Sequence, residues 1–300
     1  MPLAQSVLMV SPEHFDVNPE IVSDNFFVKN IYTDKNEIRK KVKLEFEELK
    51  LTLENAGIAV TVFNPHYSSP APDAVFPNNW FSTHPDGTLV LYPMMSPLRR
   101  SERHPEIISF LKSRSKKILD LTENENQNRF LEGTGSIVID NKNKIAFATA
   151  SFRTHETLFR EWCDSTSHKP VFFHATDENG HAVYHTNVIL TIAENFAIIC
   201  AESIRSDSER KNVLRHLTSC GLTVLEITFT QVRCFSGNAL ALHKKNGEQL
   251  FVISELGWNG FNDAEKKFLE SHCAEIVKTP LDIIESCGGG SARCILAELF

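Results

Sequence analysis

The sequence predicts an α/β fold arranged as a ring of five strand–strand–helix–strand units. Three observations carry this. Apolar stripes of helical spacing recur five times, with starts at 34, 101, 154, 206 and 262. A short strand candidate follows these stripes, and a hairpin-like pair precedes four of them. The fifth hairpin is missing from the interior, and its halves lie at the two ends, SVLMVS at 6–11 and RCILAELF at 293–300. If those ends pair, the last strand closes against the first and fewer raw edges remain. The alternative is an ordinary mixed α/β chain with coincidental spacing.

Each element has a local reason. Ile38, Val42, Phe46, Leu49 and Leu53 form one stripe of a helix over 34–56, and Gly57 stops it. IAVTVF at 58–63 is the strand behind it, and NWFSTHPDGTLVLYP is the first interior hairpin. The helix over 101–115 opens with Ser101 and buries Ile107, Ile108 and Leu111, with KILDLT at 117–122 behind. SIVIDNKNKIAFATA is the next hairpin. The helix over 154–165 opens with Thr154 and buries Leu158, Phe159 and Trp162, and PVFFHA follows at 170–175. NVILTIAENFAIICA then leads to a helix over 206–220, opened by Ser206, burying Val213, Leu214 and Leu217 and ended by Gly221, with LTVLEIT at 222–228. NALALHKKNGEQLFVIS leads to a helix over 262–273, opened by Asn262 and burying Phe268 and Leu269, with the weaker strand EIVKTPL at 275–281. Ser, Thr and Asn at the starts are good acceptors for free helix N–H groups.

Composition narrows the class. The chain has 300 residues, is 42% hydrophobic and 23% charged, and carries ordinary numbers of Gly and Pro. It can bury a full core, which argues against disorder or a low-complexity rod. A net charge of -7 argues against a nucleic-acid groove, which needs a basic face. No apolar run approaches the roughly 18 to 20 residues of a membrane span. The first residues, MPLAQSVLMV, lack the basic and long apolar stretches of a secretory signal. The seven cysteines are scattered without a CxxC, which reads as reduced thiols in a cytoplasm and neither a disulfide framework nor a zinc cage. No linker divides the chain, so residues 1–300 read as one domain. No metal and no cofactor is expected. The expected partner is a small-molecule substrate, and a homo-oligomer is compatible with the sequence although no stripe demands one.

Standard motifs are absent, with no GxGxxG, phosphate loop, HExxH or GxSxG. Polar clusters instead sit at the front of the repeats: PDAVFPNNWF, LEGTGS, SFRTH, VYHTN, CFSGN and GGGSARC. In a ring, equivalent strand starts converge near the axis. Cys294 follows three glycines, where a ligand can come close, and can be a nucleophile or a buried small hydrophobe, with Cys287 its nearest rival. His185 at the mouth of an apolar strand suits a general acid and base, or a structural hydrogen bond. Glu132 beside Gly133 and Gly135 suits orienting a base or gripping a cationic nitrogen, or is a solvated loop acid. Asp73 can grip substrate or form an Asx-turn. Arg153 can bind a carboxylate bidentately or lie on the surface. Asn18, Asn25, Asn78, Asn79, Asn187 and Asn238 are neutral hydrogen-bonders with turn-forming alternatives. Arg100 and Arg103 can equally be surface charges.

Together these clusters resemble the guanidino-group-modifying enzymes, the pentein or amidinotransferase-like superfamily. Seven stretches carry the resemblance in order over essentially the whole chain: MVSPEHFDVN, PDAVFPNNWFSTH, MMSPLRRSERH, LEGTGSIVID, YHTNVIL, FSGNALAL and ESCGGGSARCILAELF. The likeness is greatest to the arginine-deiminase-related citrulline utilization hydrolases. It implies a five-fold pseudo-symmetric α/β propeller, in agreement with the repeat count. It also implies Cys294 as nucleophile, His185 as general acid and base, and Glu132 as their acidic partner, although Thr134 stands at the third position of the EGG-type motif. By the same resemblance Asp73 and Phe76 match the substrate-gripping D-x-x-F pattern, and Arg153 the R-T element that holds the substrate's far end. Asn25 is a further candidate for reading the amino-acid head.

The departures bear on substrate. Arginine deiminases place acids after the D-x-x-F element and two positions after the histidine, where this chain has Asn78, Asn79 and Asn187. A carboxylate only accepts hydrogen bonds, whereas an amide also donates. A guanidinium offers donors only, while a ureido group has an oxygen that wants a donor. The sequence therefore points to hydrolysis of citrulline, and of arginine as well, to ornithine, ammonia and carbon dioxide through a cysteine adduct. Arginine deiminase or dimethylarginine dimethylaminohydrolase-like activity, an amidinotransferase, and a non-catalytic binding module are the alternatives.

Overall fold

The computed structural model of the chain describes residues 3–20, 27–28 and 34–300. Among the described residues fifteen strands form five three-stranded sheets, each with the same plan. Strands β1 (Ser6–Val10) and β2 (Ala59–Phe63) belong to the first sheet. The next three are β3 (Phe81–Thr83), β4 (Thr88–Leu91) and β5 (Lys117–Asp120), then β6 (Ile137–Asp140), β7 (Ile145–Thr149) and β8 (Lys169–Phe173). They are followed by β9 (Leu190–Ile192), β10 (Phe196–Ile199) and β11 (Thr223–Glu226), then β12 (Leu240–His243), β13 (Gln249–Ser254) and β14 (Glu275–Thr279). The last strand, β15 (Ala297–Leu299), completes the first sheet in the order β15-β1-β2.

In every sheet an antiparallel pair is followed by a parallel third strand, reached through a helix. The terminal strands supply the fifth antiparallel pair, with Ser6 opposite Leu299 and Leu8 opposite Ala297. Burial falls from the middle strand outward. Every residue of β4, β7, β10 and β13 is buried, whereas β5 and β11 contain none that is. The apolar runs of the middle strands are thus covered on both faces. Side chains of first strands reach the neighbouring sheet, at its first strand or at the segment leading into it. Thr83 Oγ1 donates to the Glu298 carbonyl at 2.8 Å, and Thr191 Oγ1 to the Gly237 carbonyl at 2.8 Å.

The helix Lys35–Asn55 buries all five expected stripe residues and is capped by Asp34, whose Oδ1 accepts from the Asn36 amide at 2.9 Å. Ser206 and Asn262 cap their helices, Asn262 within a capping box with Glu265. Two expected starts differ. The second helix runs Pro105–Arg114 with His104 as its cap, because the Ser101 hydroxyl is spent on the Leu98 carbonyl at 2.7 Å. The third runs Glu156–Thr166, because Thr154 Oγ1 turns to Ser136 Oγ at 2.8 Å instead of capping. Ile108, Leu214 and Phe268 are only partly buried, at the margins of their stripes. Among the described residues no helix is long and apolar enough to cross a membrane.

Candidate active site

The segment just before the first strand of each sheet brings one part of the site. Asp73, Phe76 and Asn79 precede β3, Glu132 precedes β6, His185 and Asn187 precede β9, Asn238 precedes β12, and Cys294 precedes β15. All of them are buried. Asp73, Phe76, Asn79, Arg99, Arg153, Tyr184, His185, Cys294 and the three glycines 288–290 line one small pocket.

Cys294 lies in a helical turn, Ala292–Ile295, and not in the strand itself. Its amide donates to the Ser291 carbonyl at 2.9 Å. Asn238 Nδ2 lies 3.4 Å from its Sγ, and Asn187 Nδ2 lies 3.8 Å away. Asn238 Nδ2 also donates to the Asn187 carbonyl at 3.1 Å, so one amide orders the other. Burial pushes the Cys294 thiol up, while the Ser291 contact and the two amides work against that. Amide N–H groups aimed at sulfur favour the thiolate once it forms.

His185 Nε2 stands 2.8 Å from Glu132 Oε2. An ionised carboxylate can only accept, so Nε2 carries the proton and Nδ1 is left as an acceptor. Burial acts to raise the Glu132 carboxyl, but the bond from His185 and the charge of Arg153 prevail and hold it at about 2. Its other oxygen accepts from the Met95 amide at 3.0 Å. Burial lowers His185, with Glu132 opposing, so burial favours the neutral ring. Gly135 makes this packing feasible. A Cβ there would come within 2.5 Å of Asn79 Nδ2 and 2.7 Å of His185 Nδ1.

The opposite wall is charged. Asp73 Oδ2 accepts from Asn18 Nδ2 at 2.6 Å and lies 3.8 Å from Arg99 Nε, while its Oδ1 is buried without a partner. Burial raises the Asp73 carboxyl, with Arg99 opposing. Arg99 donates to Glu102 through two nitrogens, at 2.8 and 3.0 Å, and through Nη1 to Asn79 Oδ1 at 2.7 Å. Because guanidinium only donates, Asn79 must turn its oxygen to Arg99 and its Nδ2 away. That Nδ2 is buried and meets no partner among the described residues. Arg153 lies 3.7 Å from Glu132 and sits over the Tyr184 ring at 4.9 Å. Tyr184 itself donates to the Gly289 carbonyl at 2.9 Å.

Of the residues singled out in the sequence, the structure places Cys294, His185, Asp73, Phe76, Asn79 and Arg153 on the pocket. Glu132, Asn187 and Asn238 stand directly behind His185 and Cys294. Asn78 is buried, yet its side-chain amide meets no partner and its carbonyl accepts from Thr134 Oγ1 at 3.2 Å. Asn25 lies outside the described residues. Arg100 and Arg103 turn to Glu125 instead, at 3.4 and 2.7 Å. Arg99 was not legible as a pocket residue. Within RRSERH it looks like any surface charge, and only the i,i+3 spacing to Glu102 hints at their buried pairing. Among the described residues no group of three or more His, Cys, Asp or Glu could hold a metal ion.

A family profile described as "N,N dimethylarginine dimethylhydrolase, eukaryotic" matches residues 11–300. No curated protein sequence matches the chain. The N-terminal domain of ArgZ bound to substrate, an arginine dihydrolase from the ornithine-ammonia cycle in cyanobacteria, superposes with a TM-score of 0.75 at 16% identity, covering 98% of this chain and 97% of that domain. Against the longer ArgZ chain the TM-score is 0.74 at 18% identity, with 97% of this chain and 40% of that one covered. DDAH from Pseudomonas aeruginosa complexed with citrulline gives 0.68 at 12% identity, covering 99% of this chain and all of that one (100%). At such identities the structural likeness speaks for the shared fold, and the profile match along the chain fixes the family. The chain belongs to the eukaryotic N,N-dimethylarginine dimethylhydrolase family of pentein guanidino-group-modifying enzymes, hydrolases of C–N bonds other than peptide bonds.

Proposed function

We propose that the chain hydrolyses the ureido group of L-citrulline, and takes arginine through citrulline, giving ornithine, ammonia and carbon dioxide. The observation that carries this reading is the amide set around the pocket. Asn79 Nδ2 is buried and meets no partner among the described residues, and Asn187 and Asn238 present amides to the Cys294 sulfur. Such donors suit a carbonyl oxygen, which a guanidinium lacks.

In this mechanism His185 takes the proton of the Cys294 thiol, and the resulting thiolate attacks the terminal carbon of the side chain. His185 protonates the departing ammonia, leaving a thiocarbamate on sulfur. His185 then takes a proton from water, which hydrolyses the adduct. The released carbamate loses carbon dioxide to give ornithine. Glu132 orients the imidazole and stabilises its charged form. With arginine, a first round gives citrulline and ammonia by the same steps. Asp73 grips the end group's nitrogens, Phe76 walls the side chain, and Arg153 holds the carboxylate at the far end. Asn78 and Asn25 complete our substrate-binding set, Asn78 from behind the pocket.

We further read the five sheets as blades of one closed, five-fold pseudo-symmetric propeller forming a single domain over 1–300. The β15–β1 pair and the threonine bonds between neighbouring sheets support this. The seven free thiols suit a reducing, cytoplasmic setting.

Product analysis tests the assignment. Purified protein is given L-citrulline, L-arginine or Nω,Nω-dimethylarginine, and ornithine, citrulline, ammonia and dimethylamine are assayed, with Cys294→Ala as control. Ornithine from citrulline, lost in the variant, is the expected result. A second reading, favoured by the family match, is dimethylarginine hydrolysis. It would give dimethylamine and citrulline without ornithine, and would overturn the ureido assignment.

A further inference from the structure

The segment that delivers Cys294 crosses three glycines, 288–290, which have no side chains to hold it. They are needed where they are, since a Cβ on Gly288 or Gly290 would come within 2.8 Å of the Phe76 ring. The segment is secured instead by two carboxylates. Glu45, on the helix Lys35–Asn55, accepts from the amides of Ile283 and Ile284 at 2.8 and 3.0 Å, fixing the root of the turn. Glu285 lies one residue further on, 2% exposed, in the π-helical turn Ile284–Gly288. Its Oε1 accepts from Ser291 Oγ at 2.5 Å, on the far side of the glycines. The Ser291 carbonyl in turn accepts the Cys294 amide at 2.9 Å.

A carboxylate in this place is costly. Burial pushes Glu285 up to about 7, with Ser254 and Ser291 opposing and the acids Asp282 and Glu45 adding to the rise. A buried carboxyl kept at such cost does something that a neutral residue of the same size would do less well. We propose that Glu285 is a positioning residue for Cys294, bridging the glycine run through Ser291 so that the sulfur is held against Asn238 and Asn187. This rests on Cys294 being the nucleophile, but the contacts that define it do not depend on the substrate.

The test compares Glu285→Ala, Glu285→Gln, Ser291→Ala and the double Ala variant. Two readouts are taken: kcat and KM on whichever of the three amino acids is turned over, and the iodoacetamide alkylation rate of each cysteine by peptide mass spectrometry. Glu285→Ala is expected to lower kcat by about tenfold to a hundredfold with KM nearly unchanged, the usual scale for a misplaced reacting group. Cys294 should be alkylated several times faster, while Cys163 and Cys200 stay protected. Ser291→Ala should act in the same direction, and the double variant should be no worse than Glu285→Ala. Glu285→Gln keeps an acceptor for Ser291 and should restore most of kcat.

Native alkylation and kcat in both Ala variants would overturn the proposal. So would additive losses in the double variant. If Glu285→Ala exposes all cysteines together, its role is in folding, and Ser291→Ala decides by the same two readouts. Undiminished activity in Cys294→Ala would instead remove the nucleophile assignment, while the alkylation rates would still show whether Glu285 fixes that segment.

Discussion

One added methyl group at position 135 separates a fold-level from a site-level effect. Gly135 has no positive φ, so Gly135→Ala leaves the backbone at ease. Its Cβ, however, would press on Asn79 and His185. Activity should fall by about a hundredfold or more, on the scale of a 1 Å displacement of reacting groups, with the thermal midpoint shifting little. Glu132→Gln should leave the fold assembled and lower kcat by roughly 10²- to 10⁴-fold, because the imidazolium loses its countercharge. The ionised Glu132 also contributes stability. Its folded pKa of about 2 lies below the ordinary carboxylate value, so that contribution is complete above about pH 4.5 and is lost as pH falls toward 2. Kinetics at neutral pH and urea unfolding between pH 5 and 3 check both statements. LEGTGS by itself left Glu132 open between a site acid and a solvated loop acid, and the structure buries it against His185. The Arg99–Glu102 pair was not legible, because charged residues in a polar stretch carry no mark of burial until the fold surrounds them.

At the scale of elements, helix interiors were readable and helix ends less so. The stripe Ile38 to Leu53 is buried as spaced, since periodicity reports the face a helix must bury. The ends depend on which partner a hydroxyl finds. Ser206 finds a helix amide, Thr154 finds Ser136, and Ser101 finds the Leu98 carbonyl. Cys294 falls in a turn because its amide bonds back to Ser291. The packing of the helix Glu156–Thr166 on the β3–β4 hairpin has its own titration. Trp162 Nε1 donates to Tyr92 Oη at 2.9 Å, Tyr92 bonds Ser82 at 2.7 Å, and Ser82 meets His84 at 2.9 Å. His168 stacks on Trp162. Burial lowers His84 and His168 to about 4 each, so both are neutral at pH 7. The unfolded chain takes up protons on them from about pH 6.5 downward, before the folded chain does. Stability should therefore fall between about pH 6.5 and 4, by about 1–3 kcal/mol per histidine. Urea unfolding at pH 7 and pH 5 should show this loss, and His168→Leu should reduce it. A flat profile would mean that the histidines are hydrated in the folded protein.

Across the whole molecule, one repeated plan accounts for where the chemistry lies. Each sheet begins with a strand whose approach segment carries a polar group, and the five approach segments bring Asp73, Glu132, His185, Asn238 and Cys294 together. The periodicity indicated this convergence for units set in a ring, and the split fifth hairpin was visible because the last strand has no antiparallel partner beside it in the sequence while β1 offers a free edge opposite β2. That amides and not carboxylates stand at the sulfur was also legible, since the asparagines at 187 and 238 are explicit in the sequence, as are those at 78 and 79. Their orientation was not, because only Arg99 shows which way Asn79 turns. The mechanism requires that Cys294 become covalently bonded to the ureido carbon of citrulline. The most direct measurement is acid quenching during turnover of citrulline labelled at that carbon, followed by peptide mass spectrometry. Label on the peptide bearing Cys294, absent in Cys294→Ala, is the predicted result. Ornithine formed with no cysteine adduct, or an adduct on Cys287, would contradict it.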